Sequence, residues 1–184
     1  STGSLNHTLC SPGTVQPLEG QGSCSQCDAG SFMHASGATE CFECPPGSYC
    51  NKKGMSKPVK CPVGRYTDTE QRQSCTPCPA GRYQNSTGSA KCFFCPAGTF
   101  LEGEGANSSA QCLLCPAGTY ADKSGLPQCT RCPTGQVQPE QGQDSCKECI
   151  LEGKIKTNNE AYTECIDNEA LMSSSVVEAM FTKG

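Results

Sequence analysis

The residues with the most chemistry to offer are 18 cysteines: Cys10, Cys24, Cys27, Cys41, Cys44, Cys50, Cys61, Cys75, Cys78, Cys92, Cys95, Cys112, Cys115, Cys129, Cys132, Cys146, Cys149 and Cys165. Apart from Cys50 they alternate between a long gap and a short Cys-x-x-Cys step. Two such steps can hold zinc in a tetrahedral thiolate site. One step at a helix N-terminus inside a βαβ frame can exchange disulfides. Dense cysteines in even number can instead bridge one another and stand in for a core. Seven steps recur here between turns, which is not the setting of a redox pair. Only His7 and His34 could complete a mixed zinc shell, and each unit runs from a single Cys to a single Cys with a fixed turn behind it. Bridging is the chemistry this pattern supports, with no cofactor and no metal expected.

Other reactive types offer less. No Ser/His/Asp set is framed by a structural motif, and His34 in Phe32-Met33-His34 reads as a solvated turn residue. Glu102, Glu104 and Asp122 lack the alternating spacing of a calcium loop and read as solvated charge. The expectation is a non-enzymatic chain.

The elements that must carry these cysteines follow from the spacing. The long gap is thirteen residues in six cases, sixteen between Cys95 and Cys112, and fifteen between Cys149 and Cys165, which gives a period of 17. Pro follows Cys at 45, 62, 79, 96, 116 and 133, and Gly stands three after the leading Cys, as in Gly13, Gly47 and Gly118. Two residues further comes Val15, Phe32, Tyr49, Tyr66, Tyr83, Phe100, Tyr120 or Val137. A second Gly precedes the closing Cys at 20, 37, 88, 125 and 142. Pro fixes φ and the Gly permits φ > 0, so each unit opens with a tight turn. The aromatic then begins a short extended segment, and the second Gly turns the chain back. Two strands alone are marginal in water, so the loop needs a covalent staple. Its aromatic would lie over that staple as most of the core. Closing a fifteen-residue loop is worth about 3 kcal/mol by loop-closure entropy. Repeats that touch only their neighbours build an elongated array. The expected class is small and disulfide-rich: an elongated tandem array of short β-hairpin-like loops with little regular secondary structure.

Composition agrees. Leu, Ile, Val and Phe make up about 13% of the 184 residues, too few for an ordinary core. The net charge is −4, and the 14 basic residues are scattered rather than gathered on a nucleic-acid-binding face. No apolar run is long enough to span a membrane. The chain opens Ser1-Thr2-Gly3 without a signal-like stretch, which reads as a mature or excised piece.

Residues 1–9 form a lead-in, 10–165 the repeats, and 166–184 a Cys-free tail that reads as the start of a following segment or a linker. Within the array, 44–61 is irregular. If the regular loops pair consecutively, Cys44 and Cys50 are left to close a short ring. A crossed pairing among Cys41, Cys44, Cys50 and Cys61 is the alternative, and the residues alone do not choose. The final unit is degenerate, with Gly153 and Ile155 one place late. Apolar residues at Phe93-Phe94, Leu113-Leu114 and Leu126-Pro127 read as exposed turn tips. They would either pack across joints between units or offer a strip to a partner. Sequons at Asn6, Asn85 and Asn107, together with the cysteine density, point to an extracellular or lumenal glycoprotein carrying N-linked glycans.

Cys115-Pro116-Ala117-Gly118-Thr119-Tyr120, closed by Cys129-Thr130-Arg131-Cys132, closely resembles the ephrin-receptor-like cysteine-rich repeat. That unit occurs in Eph receptor ectodomains, in secreted proteins joining it to CUB and EGF domains, and in protist surface proteins. The loop is also similar to the first small module of tumour-necrosis-factor receptor domains, where the two bounding Cys pair. The resemblance spans residues 10 to 165. It implies Cys10–Cys24, Cys27–Cys41, Cys61–Cys75, Cys78–Cys92, Cys95–Cys112, Cys115–Cys129, Cys132–Cys146 and Cys149–Cys165. The stretch from Cys44 to Cys61 resembles a variant of protist cysteine-rich surface proteins. Such repeats imply a semi-rigid spacer and protein-interaction module of a larger surface or secreted glycoprotein. Its partners would be other extracellular proteins or neighbouring domains. The alternative is the ligand-binding ectodomain of a cell-surface receptor.

Overall fold

A computed structural model describes residues 9–16, 23–151, 154–155 and 157–166. Each repeat opens as its sequence dictates. The N–H four places after the leading Cys donates to the carbonyl one place after it, as in Ser48 to Pro45 at 3.1 Å and Thr99 to Pro96 at 3.1 Å. The intervening Gly has positive φ, 80° at Gly47 and 77° at Gly98, as a type II turn requires. A two-residue strand follows, and it pairs antiparallel with the two residues between the closing Cys and the next leading Cys. Ser31–Phe32 pairs with Phe42–Glu43, Arg65–Tyr66 with Thr76–Pro77, and Thr119–Tyr120 with Thr130–Arg131. Every sheet among the described residues is two-stranded.

The middle of each Cys-x-x-Cys step is therefore a strand and not a turn tip. The hairpin straddles its staple, and Phe93–Phe94 and Leu113–Leu114 are second strands. The three extra residues before Cys112 are absorbed in a 3-10 turn, Ser109–Gln111.

The chain forms two compact units. The first comprises Ser1–Pro79, Tyr83–Phe93 and Glu104–Ser108; the second comprises Ala80–Arg82, Phe94–Gly103 and Ser109–Gly184. The first holds the staples Cys10–Cys24, Cys27–Cys41, Cys44–Cys50, Cys61–Cys75 and Cys78–Cys92. The second holds Cys95–Cys112, Cys115–Cys129, Cys132–Cys146 and Cys149–Cys165.

One backbone ladder runs through the first unit. The turn glycine of one repeat donates to a carbonyl six places after the leading Cys of the next: Gly13 to Met33, Gly30 to Cys50, Gly47 to Thr67 and Gly64 to Gln84, at 2.7–2.9 Å. The same four residues donate onward to the following repeat's second turn: Met33 to Met55, Cys50 to Arg72, Thr67 to Ser89 and Gln84 to Ala106. That second turn in its own right donates back to a leading cysteine, Gly54 to Cys27, Gln71 to Cys44 and Gly88 to Cys61. The second unit repeats the scheme with Leu101, Ala121 and Gln138 in the six-place column.

This column, not the aromatic, is the core of a repeat. Met33, Cys50, Thr67, Gln84, Leu101, Ala121 and Gln138 are buried, whereas at the position before the column Val15 and Val137 are buried but Phe32, Tyr49, Tyr66, Tyr83, Phe100 and Tyr120 are half-buried. The expectation of an aromatic lid over the staple gives way for a physical reason. The ladder consumes both the N–H and the C=O of the six-place residue, so its backbone must be dry and its side chain goes in with it. The leading cysteines are buried beside it, and closing ones such as Cys24 and Cys41 are less so.

In the last repeat Ile150–Leu151 pairs with Lys154–Ile155, and the first-strand role passes to Thr157–Asn158, which pairs with Cys165–Ile166. There the ladder bond from Gly135 is accepted by the Asn158 side chain at 2.8 Å. Gly20, Gly153, the lead-in through 8 and the tail from 167 lie outside the described residues.

Candidate functional site

All 18 cysteines stand in nine disulfides, so the thiolates of a zinc knuckle or redox pair are already spent on bridges. Cys44 closes to Cys50 with Cα atoms 6.1 Å apart. The fold of this repeat is nevertheless uninterrupted. Ser48–Tyr49 pairs with Val59–Lys60 in the register of its neighbours. Position 58, where a closing Cys would stand fourteen after Cys44, is Pro58. The chain has kept the hairpin and moved the staple.

The other repeats show why position 50 can take it. The leading Cys sulfur already faces the six-place side chain, at 4.0 Å from Cys10 to Gln16 Oε1 and 3.8 Å from Cys61 to Thr67 Oγ1. Cysteine in that column turns a packing contact into a bond. The sequence held the signal, because Cys50 is six after a leading cysteine, but only the burial of the column gives the spacing a meaning.

The remaining candidate residues lie on surfaces. His34 is exposed and stacks on Phe42, ring centroids 5.7 Å apart, beside Phe32 at 6.2 Å. A groove of about 400 Å³ lined by Met33, Gly37, Ala38 and Glu40 adjoins them. Glu102, Glu104 and Asp122 are exposed and scattered. Asp28 and Lys53 form an ion pair at 2.8 Å. Their hydrogen bond first, and their mutual charge second, hold Asp28 below the usual carboxylate range and Lys53 above the usual lysine range.

The apolar strand residues divide by position. The second of each pair sits against the second turn of a later repeat: a Cβ on Gly125 would strike Phe94, and one on Gly142 would strike Leu114. Phe94 also carries the Arg82 guanidinium 4.1 Å above its ring. The first of each pair faces the first-strand aromatic, as Phe93 does Tyr83 at 5.8 Å. Both kinds stay about half exposed, Phe94 at 51% and Leu114 at 58%, so joint packing uses one side of each. Asn85 and Asn107 are exposed, each directly after a six-place residue or its turn partner, Gln84 and Ala106. Asn6 lies outside the described residues.

These features define a class: a tandem array of disulfide-stapled hairpin modules of the kind found in ectodomains. Residues 30–74, 69–112, 106–149 and 118–165 match the tyrosine-protein kinase ephrin type A/B receptor-like family. The chain belongs to that family, and the matches span most of the hairpin array. No curated protein matches it. The disulfides and the family together mark a repeat region of extracellular type. Among the described residues no helix is long and apolar enough to cross a membrane.

Proposed function

We propose that this segment is a semi-rigid spacer and protein-interaction module of a larger surface or secreted glycoprotein, without catalytic activity. The observation that carries the reading is the ladder at the six-place column. Each such residue ties its repeat to the one before and the one after through backbone bonds, which resists bending at the joints. Exposed strand residues between the staples are then free to face other extracellular proteins or neighbouring domains. Asn85 and Asn107, and Asn6 in the lead-in, carry N-linked glycans in this reading.

Small-angle scattering of the intact chain tests it. A compact domain of this length has a radius of gyration of about 16 Å. A semi-rigid spacer exceeds that clearly, with a profile unchanged by mild denaturant, whereas a value near the compact one rejects it. A second reading, a receptor's ligand-binding ectodomain, draws on the receptor-like family and on exposed Phe94, Leu113 and Leu114 in the second unit. Saturable capture of one ligand that is lost on Leu113→Asp would favour it.

A further inference from the structure

The scatter of basic residues along the chain conceals one local concentration. Residues 51–65 carry Lys52, Lys53, Lys57, Lys60 and Arg65 and no acid, while the rest of the chain sums to −9. All five are exposed. Among the described residues only Lys53 has an ionic partner, Asp28. They occupy the turn and second strand of the Cys44 repeat and the first strand of the next. The Cys50 N–H donates to the Arg72 carbonyl at 2.9 Å and sets beside Asn51 and Lys52 a turn that carries Arg72, its guanidinium on Thr69, together with exposed Asp68 and Glu70. This is also the repeat whose staple has moved to the buried column, leaving 51–60 free of cysteine.

We infer that this hairpin is a docking surface for a linear sulfated polysaccharide. Like charges this close cost a small fold self-repulsion. Lys53 is offset by Asp28, the Lys60 stem lies over Gly88 and Arg65 donates to the Cys75 carbonyl at 2.8 Å, but none of these contacts accounts for Lys52 or Lys57. The cations are strung over two turns and two strands instead of converging on a pocket, which suits a chain of spaced anions better than one compact anion. Four of the five are lysines, point charges on flexible stems, not the planar forks that grip a single phosphate or carboxylate bidentately. Binding of this kind proceeds by release of condensed counterions and weakens steeply with salt. The inference rests on the reading of the segment as an interaction module.

The test uses the full chain, disulfides intact, with heparin as probe. Lys52→Gln/Lys57→Gln is compared with the control Lys123→Gln/Lys147→Gln, and non-reducing peptide maps check that both keep the staples. We expect the first variant to bind about tenfold more weakly at 0.15 M salt, with a log K–log salt slope shallower by about 2, and the control to stay within about twofold. Three results overturn the inference: no binding of the unaltered chain beyond that to desulfated heparin, an equal loss in the control, or equally effective competition by polyglutamate. Failure here leaves the spacer reading standing, since scattering tests that separately.

Discussion

Cys50 shows how much one position can decide. Its neighbours in the six-place column are Met33, Thr67 and Gln84, and the sulfur of a leading cysteine lies against such side chains whether or not a bond is possible. Moving the staple back should therefore be tolerated. Cys50→Thr/Pro58→Cys is expected to link Cys44 to the thiol introduced fourteen places on. It should gain about 0.7 kcal/mol, since closing a fifteen-residue loop removes more chain entropy than closing a seven-residue one. Peptide mapping and the unfolding midpoint measure both; free thiols would show that the column does not work this way. The Asp28–Lys53 pair is a smaller matter. Asp28's lowered value makes its contribution full above the ordinary carboxylate range and lost as pH falls through the lowered one. Lys53's raised value makes its share full below the ordinary lysine range and lost as pH rises through the raised one. Both groups are exposed and screened, so Asp28→Asn should shift the melting temperature by less than about 2 °C at neutral pH, and not at all in about 1 M salt.

At the scale of the element, the turn and the staple were legible and the ladder was not. Pro-x-Gly fixes the turn and the Cys spacing frames the loop, and both are properties of residue types. The six-place column holds Met, Cys, Thr, Gln, Leu and Ala, which share no chemistry. What unites them is a dry backbone, and a backbone carbonyl leaves no mark in sequence. Likewise Phe93 and Phe94 read as a tip from the sequence, and only their pairing with the first strand shows them to be a strand. Two tests address the element directly. Gln84 is buried, donates to the Lys91 carbonyl at 2.6 Å and accepts from the Ser86 N–H at 2.9 Å. Gln84→Ala should cost about 2–3 kcal/mol in denaturant unfolding, because the loop's polar groups lose their partners. Gly98 has a φ of 77°, and a Cβ there would overlap the Gly142 carbonyl two repeats on, while Gly103 has open space. Gly98→Ala should cost about 2–4 kcal/mol and Gly103→Ala less than about 0.5 kcal/mol; equal costs would deny the close approach.

For the whole molecule, the poverty in aliphatic residues is now explained by division of labour. Disulfides restrain each hairpin, backbone bonds join one hairpin to the next, and only a few side chains per repeat, chiefly the six-place one, need to be buried. That economy leaves surfaces unusually free to vary, from the paired leucines at 113 and 114 to the cations of 51–65, which is where function has to be sought. The account depends throughout on the staples lying within single repeats. Disulfide mapping of the unreduced chain by peptide mass spectrometry tests this most directly. The prediction is nine linked pairs, with Cys44 joined to Cys50 and each other leading cysteine joined to the cysteine that closes its own loop. Links across a Cys-x-x-Cys step, a crossed set among Cys41, Cys44, Cys50 and Cys61, or free thiols with stoichiometric zinc would contradict it.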